Sequence, residues 1–266
     1  MRKLIALAVV CTTALVFAAV AYAANVYTVG PASTKGGGGA KGTAAKPVAK
    51  AVVFGFKTKD SGGGRATPIK RYKIGFQGLK YFGNKKVFPK CSLAKLNQKA
   101  ESDVKKDCGK ALVGKGIVNN KVGLTGNPAT LRPCQLRLTL YNTGKGFALR
   151  LDGGGTAKPP TTCDLPINQS INAKFKNRTI GGVKSASLEF NVPSVPFLHP
   201  TTNTSNAISD TKSTISGKKR SVTIKGVTRK VSILSSVACG KSKRTIQVSF
   251  TDEKNDTVPA KKTVKC

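Results

Sequence analysis

Apolar and polar residues alternate with a period of two along most of this chain from Ala51 onward. The clearest run is QLRLTLYNTGKGFALRLD (135–152), where Leu136, Leu138 and Leu140 alternate with Arg137, Thr139 and Tyr141. After NTGKG, Phe147, Leu149 and Leu151 alternate with Ala148, Arg150 and Asp152. Successive side chains of a strand point to opposite faces, so the spacing predicts a hairpin with one apolar and one polar face. Shorter runs of the same kind recur, among them AVVFGF (51–56), KRYKIGF (70–76), KGIVNNKVG (115–123), INQSINAKF (167–175), ASLEFNV (186–192), SVTIKGV (221–227), RKVSIL (229–234) and RTIQVSF (244–250). Gly, Asn, Asp and Pro separate them, which predicts an all-β antiparallel sandwich. One segment breaks the pattern. SLAKLNQKAESDVKKDC (92–108) places Leu93, Leu96, Ala100 and Val104 at three- and four-residue steps, predicting a short helical insertion over about 92–107 with Ser92 as its cap.

The flanks differ. Residues 1–24 run from Arg2 and Lys3 through an apolar stretch to Ala21-Tyr22-Ala23, the order of a secretory signal peptide. Residues 25–50 include KGGGGAKGTAAKP and read as a flexible cationic leader. The segment PFLHPTTNTSNAISD (196–210) reads as a linker or a crossing loop, so 51–266 forms one sandwich domain or two subdomains divided near 196–217. No later stretch approaches the ~20 apolar residues that a membrane span needs.

Composition then narrows the function classes. The chain carries a formal net charge of +35, reduced by two if Arg2 and Lys3 leave with the signal peptide. Such a charge favours polyanions, with acidic cell-envelope polymers or glycans first and extracellular nucleic acid second. Hydrophobic residues make up 39%, more than a disordered chain shows. Six cysteines follow the leader: Cys91, Cys108, Cys134, Cys163, Cys239 and Cys266. An even count in an exported chain predicts disulfides, for which 15 pairings are open. Sequential pairing is preferred, because each pair then brackets one local unit. A zinc site is disfavoured, since there is no C-x-x-C and His199 is the sole histidine.

Several short motifs invite a chemical reading. GKALVGKG (109–116) matches G-x-x-x-x-G-K but has Gly116 where a phosphate loop needs Ser or Thr, and a strand-like run follows it instead of a helix. Ser92 and Lys95 have the S-x-x-K spacing of serine acylases without the companion motifs. Any Ser-His-Asp arrangement must use His199. Asp252, Glu253 and Asp256 concentrate hard oxygen ligands in one turn, a weak calcium candidate. RYKIGFQGLKYFGNKKVF (71–88) interleaves cations and rings as nucleic-acid grooves do, although Phe76, Phe82 and Phe88 equally suit a core. The densest cationic stretch, GKKRSVTIKGVTRK (217–230), offers Lys218, Lys219, Arg220, Lys225, Arg229 and Lys230 as an anion-facing patch.

FPKCSLAKL (88–96), then Cys108, Val113-Gly114-Lys115-Gly116 and the closing ACGKSKRTIQVSFTDEKNDTVPAKKTVKC (238–266) together resemble a group of uncharacterised exported proteins from actinobacteria and their relatives. The resemblance implies a β-sandwich and no mechanism. The sequence thus points to a secreted or cell-surface, disulfide-bonded, non-enzymatic protein without a cofactor, acting as a structural or polyanion-binding module. The alternative is an extracellular hydrolase using Ser92 and Lys95, or His199.

Overall fold

In a computed structural model, residues 25–37, 41–62, 65–154, 163, 167–240 and 242–266 are described. The signal-peptide segment lies outside them. The strands of the first half are β1 (Asn25–Lys35), β2 (Val48–Ala49), β3 (Ala51–Asp60), β4 (Ile69–Phe76), β5 (Leu79–Tyr81), β6 (Leu112–Leu124), β7 (Arg132–Asn142) and β8 (Gly146–Gly153). Those of the second half are β9 (Ile167–Ile180), β10 (Val183–Asn191), β11 (Thr204–Ile215), β12 (Arg220–Ile224), β13 (Val227–Val231), β14 (Leu234–Ser236), β15 (Lys243–Asp252) and β16 (Thr257–Lys265). Among the described residues one α-helix, α1 (Glu101–Cys108), stands between β5 and β6.

Eleven strands form one antiparallel sheet in the order β1-β3-β11-β6-β7-β8-β9-β10-β4-β15-β16. Its two ends meet: β1 lies alongside β16, and the Thr34 hydroxyl donates to the Lys265 carbonyl at 3.0 Å. The two faces of the sandwich are therefore one sheet wrapped into a flattened barrel, which brings its edge strands together. The predicted hairpin sets Leu140 opposite Leu149 and Leu138 opposite Leu151, all facing the interior. Phe54, Phe56, Tyr72, Phe76, Phe147 and Phe250 fill the space with them, each at most 5% exposed. The small sheet β2-β14-β5 and the hairpin β12-β13 add Leu79, Leu234, Val222 and Val231 to the same core.

Four expectations need correction. Residues 25–35 are no flexible leader but strand β1, whose Val29 is buried and whose Tyr27 stacks on Phe250 at 4.3 Å. The segment 196–217 marks no subdomain boundary, because β11 lies between β3 and β6 within the large sheet. The insertion is less helical than its periodicity predicts. A 3-10 turn at Leu93–Lys95 precedes the eight-residue α1, whose N-cap is Ala100, and Ser92 makes no side-chain cap bond. Finally, the polar face of β8 does not meet water, since all eight of its residues are buried.

That burial follows from where the insertion packs. Leu96, Val104, Cys108 and Ala111 form a second cluster with Tyr141 and Ala148 on the outer side of β7 and β8. Beneath it lie Arg150 and Asp152, paired with Nη2 2.6 Å from Oδ1. The remaining Arg150 donors take the carbonyls of Leu96 and Lys99, which lack helical partners. Charges survive burial only when paired and hydrogen-bonded, so the ion pair and the insertion depend on each other. Disulfides join Cys91 to Cys108, Cys134 to Cys163 and Cys239 to Cys266, as sequential pairing predicts. Structural bridges of this kind mark folding in an oxidising compartment. No helix among the described residues is long and apolar enough to cross a membrane.

Candidate polyanion-binding groove

Strand β9 alternates Ile171 and Ala173 inward with Asn172, Lys174 and Lys176 outward. Lys174 pairs in register with Gly146, where an added Cβ would stand 2.0 Å from the Ala173 carbonyl oxygen. Only glycine lets the two strands close at this point. The tight turn before β8 adds Lys145, and Gly144 (φ +87°) packs against the stem of Lys90. Two adjoining shallow grooves result, of about 500 and 340 Å³, sharing Lys145 and Lys174. Lys80 and Lys176 line the first with Asn84 and Asn177, and Lys90, Asn172 and Ser92 line the second.

Asn142 organises this surface. Fully buried, it donates from Nδ2 to the carbonyls of Gly83 (3.0 Å) and Pro89 (2.8 Å), tying loop 82–90 to the hairpin turn. Its Oδ1 accepts from the Tyr81 hydroxyl at 2.5 Å and from Gly144 N at 3.1 Å. Burial pushes the Tyr81 phenol up, so it stays a neutral donor. The ring of Tyr81 stacks on Phe175 at 4.4 Å, giving the first groove an aromatic floor between amides and cations.

Charge in the groove is one-sided: among the described residues no carboxylate lines either part. Lys176 is partly neutralised, 3.2 Å from Glu189, which also meets Arg178 at 2.8 Å. Burial works against the Glu189 carboxylate, but hydrogen bonds from Arg178 and then Lys176 hold it below its ordinary range. Among the described residues no carboxylate pairs with Lys80, Lys90, Lys145 or Lys174. Four ammonium groups gathered without counter-charge favour a bound anion.

The anion-facing patch expected at 217–230 is divided. In the β12-β13 hairpin, Arg229 stands opposite buried Val222 while Lys230 pairs with Ser221, so the two cations take opposite faces. Lys225 sits in the turn, Lys219 is exposed, and Lys218 and Arg220 border a different cleft beside Lys110. These six cations do not converge. Of the 71–88 run, Phe76, Phe82 and Phe88 belong to the core, and Tyr81 reaches the groove.

Ser92 and Lys95 are both exposed, and no hydrogen bond joins their side chains among the described residues. His199 has a carboxylate partner: Nε2 lies 2.6 Å from Glu253 Oε1. Its Nδ1 meets the Thr204 carbonyl at 3.1 Å, with the Ser205 hydroxyl farther off at 3.5 Å. Because both ring nitrogens face acceptors, the protonated ring is favoured and the His199 pKa is raised, chiefly by Glu253. Ser205 is 2% exposed and bonded to the Thr125 hydroxyl at 2.8 Å, which closes it to substrate. His199 instead links the segment before β11 to the β15-β16 turn. In that turn Asp252 Oδ1 accepts from Asp256 N at 2.9 Å, a turn-closing role in place of the calcium reading. No three His, Cys, Asp or Glu side chains converge as metal ligands among the described residues.

The G-x-x-x-x-G-K run lies in and before strand β6, with Gly114 and Gly116 in its ladders. An added Cβ there would stand 2.6 Å from the Thr214 carbonyl oxygen and 2.4 Å from that of Lys212. These glycines serve strand packing. No protein-family model matches the chain, and no curated protein is detectably similar to it.

Proposed function

We propose that this chain is an exported, non-enzymatic polyanion-binding protein whose principal contact surface is the groove around Lys145 and Lys174. The observation that carries the reading is the gathering of Lys80, Lys90, Lys145 and Lys174 in a carboxylate-free groove floored by Tyr81 and Phe175. Cations take phosphates, sulfates or uronates; rings stack on sugars or bases; amides complete hydrogen bonds. Acidic polymers of a cell envelope are the first expected ligand, and extracellular nucleic acid the second.

Retention of the purified protein on isolated cell wall, on an acidic polysaccharide and on DNA across a salt series tests this. The reading expects retention at low salt on at least the first two, falling as salt rises, because binding driven by counterion release weakens with ionic strength. Failure to bind any polyanion at low salt contradicts it.

A further inference from the structure

The barrel wall splits between β3 and β11. Strands β3 and β11 pair from Val52 opposite Ile215 as far as Lys57 opposite Asp210, and then part. Beyond that point Thr58, Lys59 and Asp60 stay with β1, whereas Thr204 to Ile208 stay with β6, and a bulge follows Ile208. The gap is a fissure of about 310 Å³ lined by Lys57, Lys59, Arg65 and Lys121 together with Asp60 and Asp210, an excess of cations. The Asp210 carboxylate is engaged by Asn119 Nδ2 at 3.1 Å, and Arg65 donates to the carbonyls of Gly123 and Ser205.

Behind the fissure lies the barrel interior, with an apolar cavity of about 100 Å³ walled by Phe54, Phe56, Tyr72, Leu138 and Phe147. Ile208, half-buried, lines both spaces and stands between the fissure and the cavity. Two hydroxyls there lack any hydrogen-bond partner among the described residues: Thr58 in the fissure, 4% exposed, and Tyr72 in the cavity wall, 1% exposed. Buried hydroxyls are rarely left in that state, and that of Thr58, in the fissure, can donate to a bound oxygen.

We propose that fissure and cavity together form a binding site for a small amphiphilic anion. Its apolar tail passes Ile208 into the cavity, and its carboxylate stays among Lys57, Lys59 and Lys121, accepting from the Thr58 hydroxyl. The cavity is smaller than the roughly 150 Å³ apolar cavity that accepts benzene, so a short unbranched chain fits and a fused ring does not. Unlike the polyanion groove, the charged end of this site lies on β3, β6 and β11, with none of the groove's lysines, and either can fail without the other.

Calorimetry and thermal shift of the full chain with hexanoate test the proposal, with acetate and 1-hexanol as controls. The expected result is saturable binding of hexanoate and a melting temperature that rises with its concentration. Both controls should bind at least about tenfold more weakly, as loss of a charge-assisted contact or of the tail implies. Equal effects of acetate and hexanoate would reduce the site to surface lysines, and equal effects of hexanol would remove the head-group contacts; either overturns the proposal, as does no hexanoate binding. Thr58→Val removes an unpartnered hydroxyl, so it should leave the melting temperature of the free protein unchanged or higher while weakening hexanoate binding several-fold. Ile208→Trp should block entry. If that variant does not fold, Lys59→Ala with Lys121→Ala, both at exposed positions, should bring hexanoate down to the affinity of hexanol; unchanged affinity in the lysine or Thr58 variants overturns the assignment.

Discussion

Replacing Arg150 with methionine removes the side chain on which the helical insertion rests. The guanidinium and Asp152 have only 2% and 6% side-chain exposure, and Nε lies 2.8 Å from Oδ1 as well as 3.1 Å from Oδ2. Methionine fills most of the volume but leaves a buried carboxylate without its partner and strips the carbonyls of Leu96 and Lys99 of their donors. Breaking a buried pair from one side costs about 3–5 kcal/mol. For a chain of this size that lowers the melting temperature by roughly 6–20 °C. The double variant Arg150→Met with Asp152→Leu removes the stranded charge as well, so only the loss at the two carbonyls remains, about 1–3 kcal/mol. The double variant should therefore be more stable than the single one. The chain has no tryptophan, so urea unfolding followed by far-ultraviolet circular dichroism is the suitable assay. A single variant within about 1 kcal/mol of wild type, or a double variant worse than the single, would refute the claim that this ion pair anchors the insertion.

Further outcomes follow from the same geometry. Cys91→Ser with Cys108→Ser opens a loop of 17 residues and should cost about 3 kcal/mol on the chain-entropy account, checked by the same unfolding curves. Gly146→Ala sets a Cβ 2.0 Å from a backbone oxygen that cannot yield alone, and should cost roughly 1–3 kcal/mol with loosening of the groove. The His199 pKa is raised in the fold, so its contribution is fully present below its ordinary value of about 6.5 and is lost as pH rises through the folded value. Wild type should thus lose melting temperature relative to His199→Gln as pH increases across that window; a constant difference would rule out titration of the His199–Glu253 pair.

What the sequence made legible and what it hid divide along physical lines. The period-two pattern of 135–152 specified a hairpin and its inward face, because that pattern depends only on strand geometry. The disulfide pairs were legible because each closes a local unit. The strand at 25–35 was hidden, since Gly30, Pro31 and the glycines after Lys35 mask the strand-forming Val26, Tyr27 and Val29. The burial of Arg150 and Asp152 was hidden too, because it requires a segment about fifty residues earlier to fold over them. The groove was hidden for a related reason. Lys80, Lys90, Lys145 and Lys174 come from four separate segments, and Asn142, which joins them, carries no sequence signature. In a chain with cations throughout, linear density is the one sign of a patch that the sequence offers, and it points to 217–230. Yet period-two geometry splits that cluster between two faces.

The central claim is that anion binding depends on where the lysines stand, beyond how many there are. Two charge-matched triple variants separate these possibilities on an immobilised acidic polysaccharide eluted with a rising salt gradient: Lys90→Ala, Lys145→Ala and Lys174→Ala in the groove, against Lys218→Ala, Lys219→Ala and Arg220→Ala at the hairpin. The groove account predicts that the first variant elutes at clearly lower salt than wild type, with affinity reduced by about tenfold or more, while the second changes little. Equal loss in both variants would show that only net charge matters and would contradict the account.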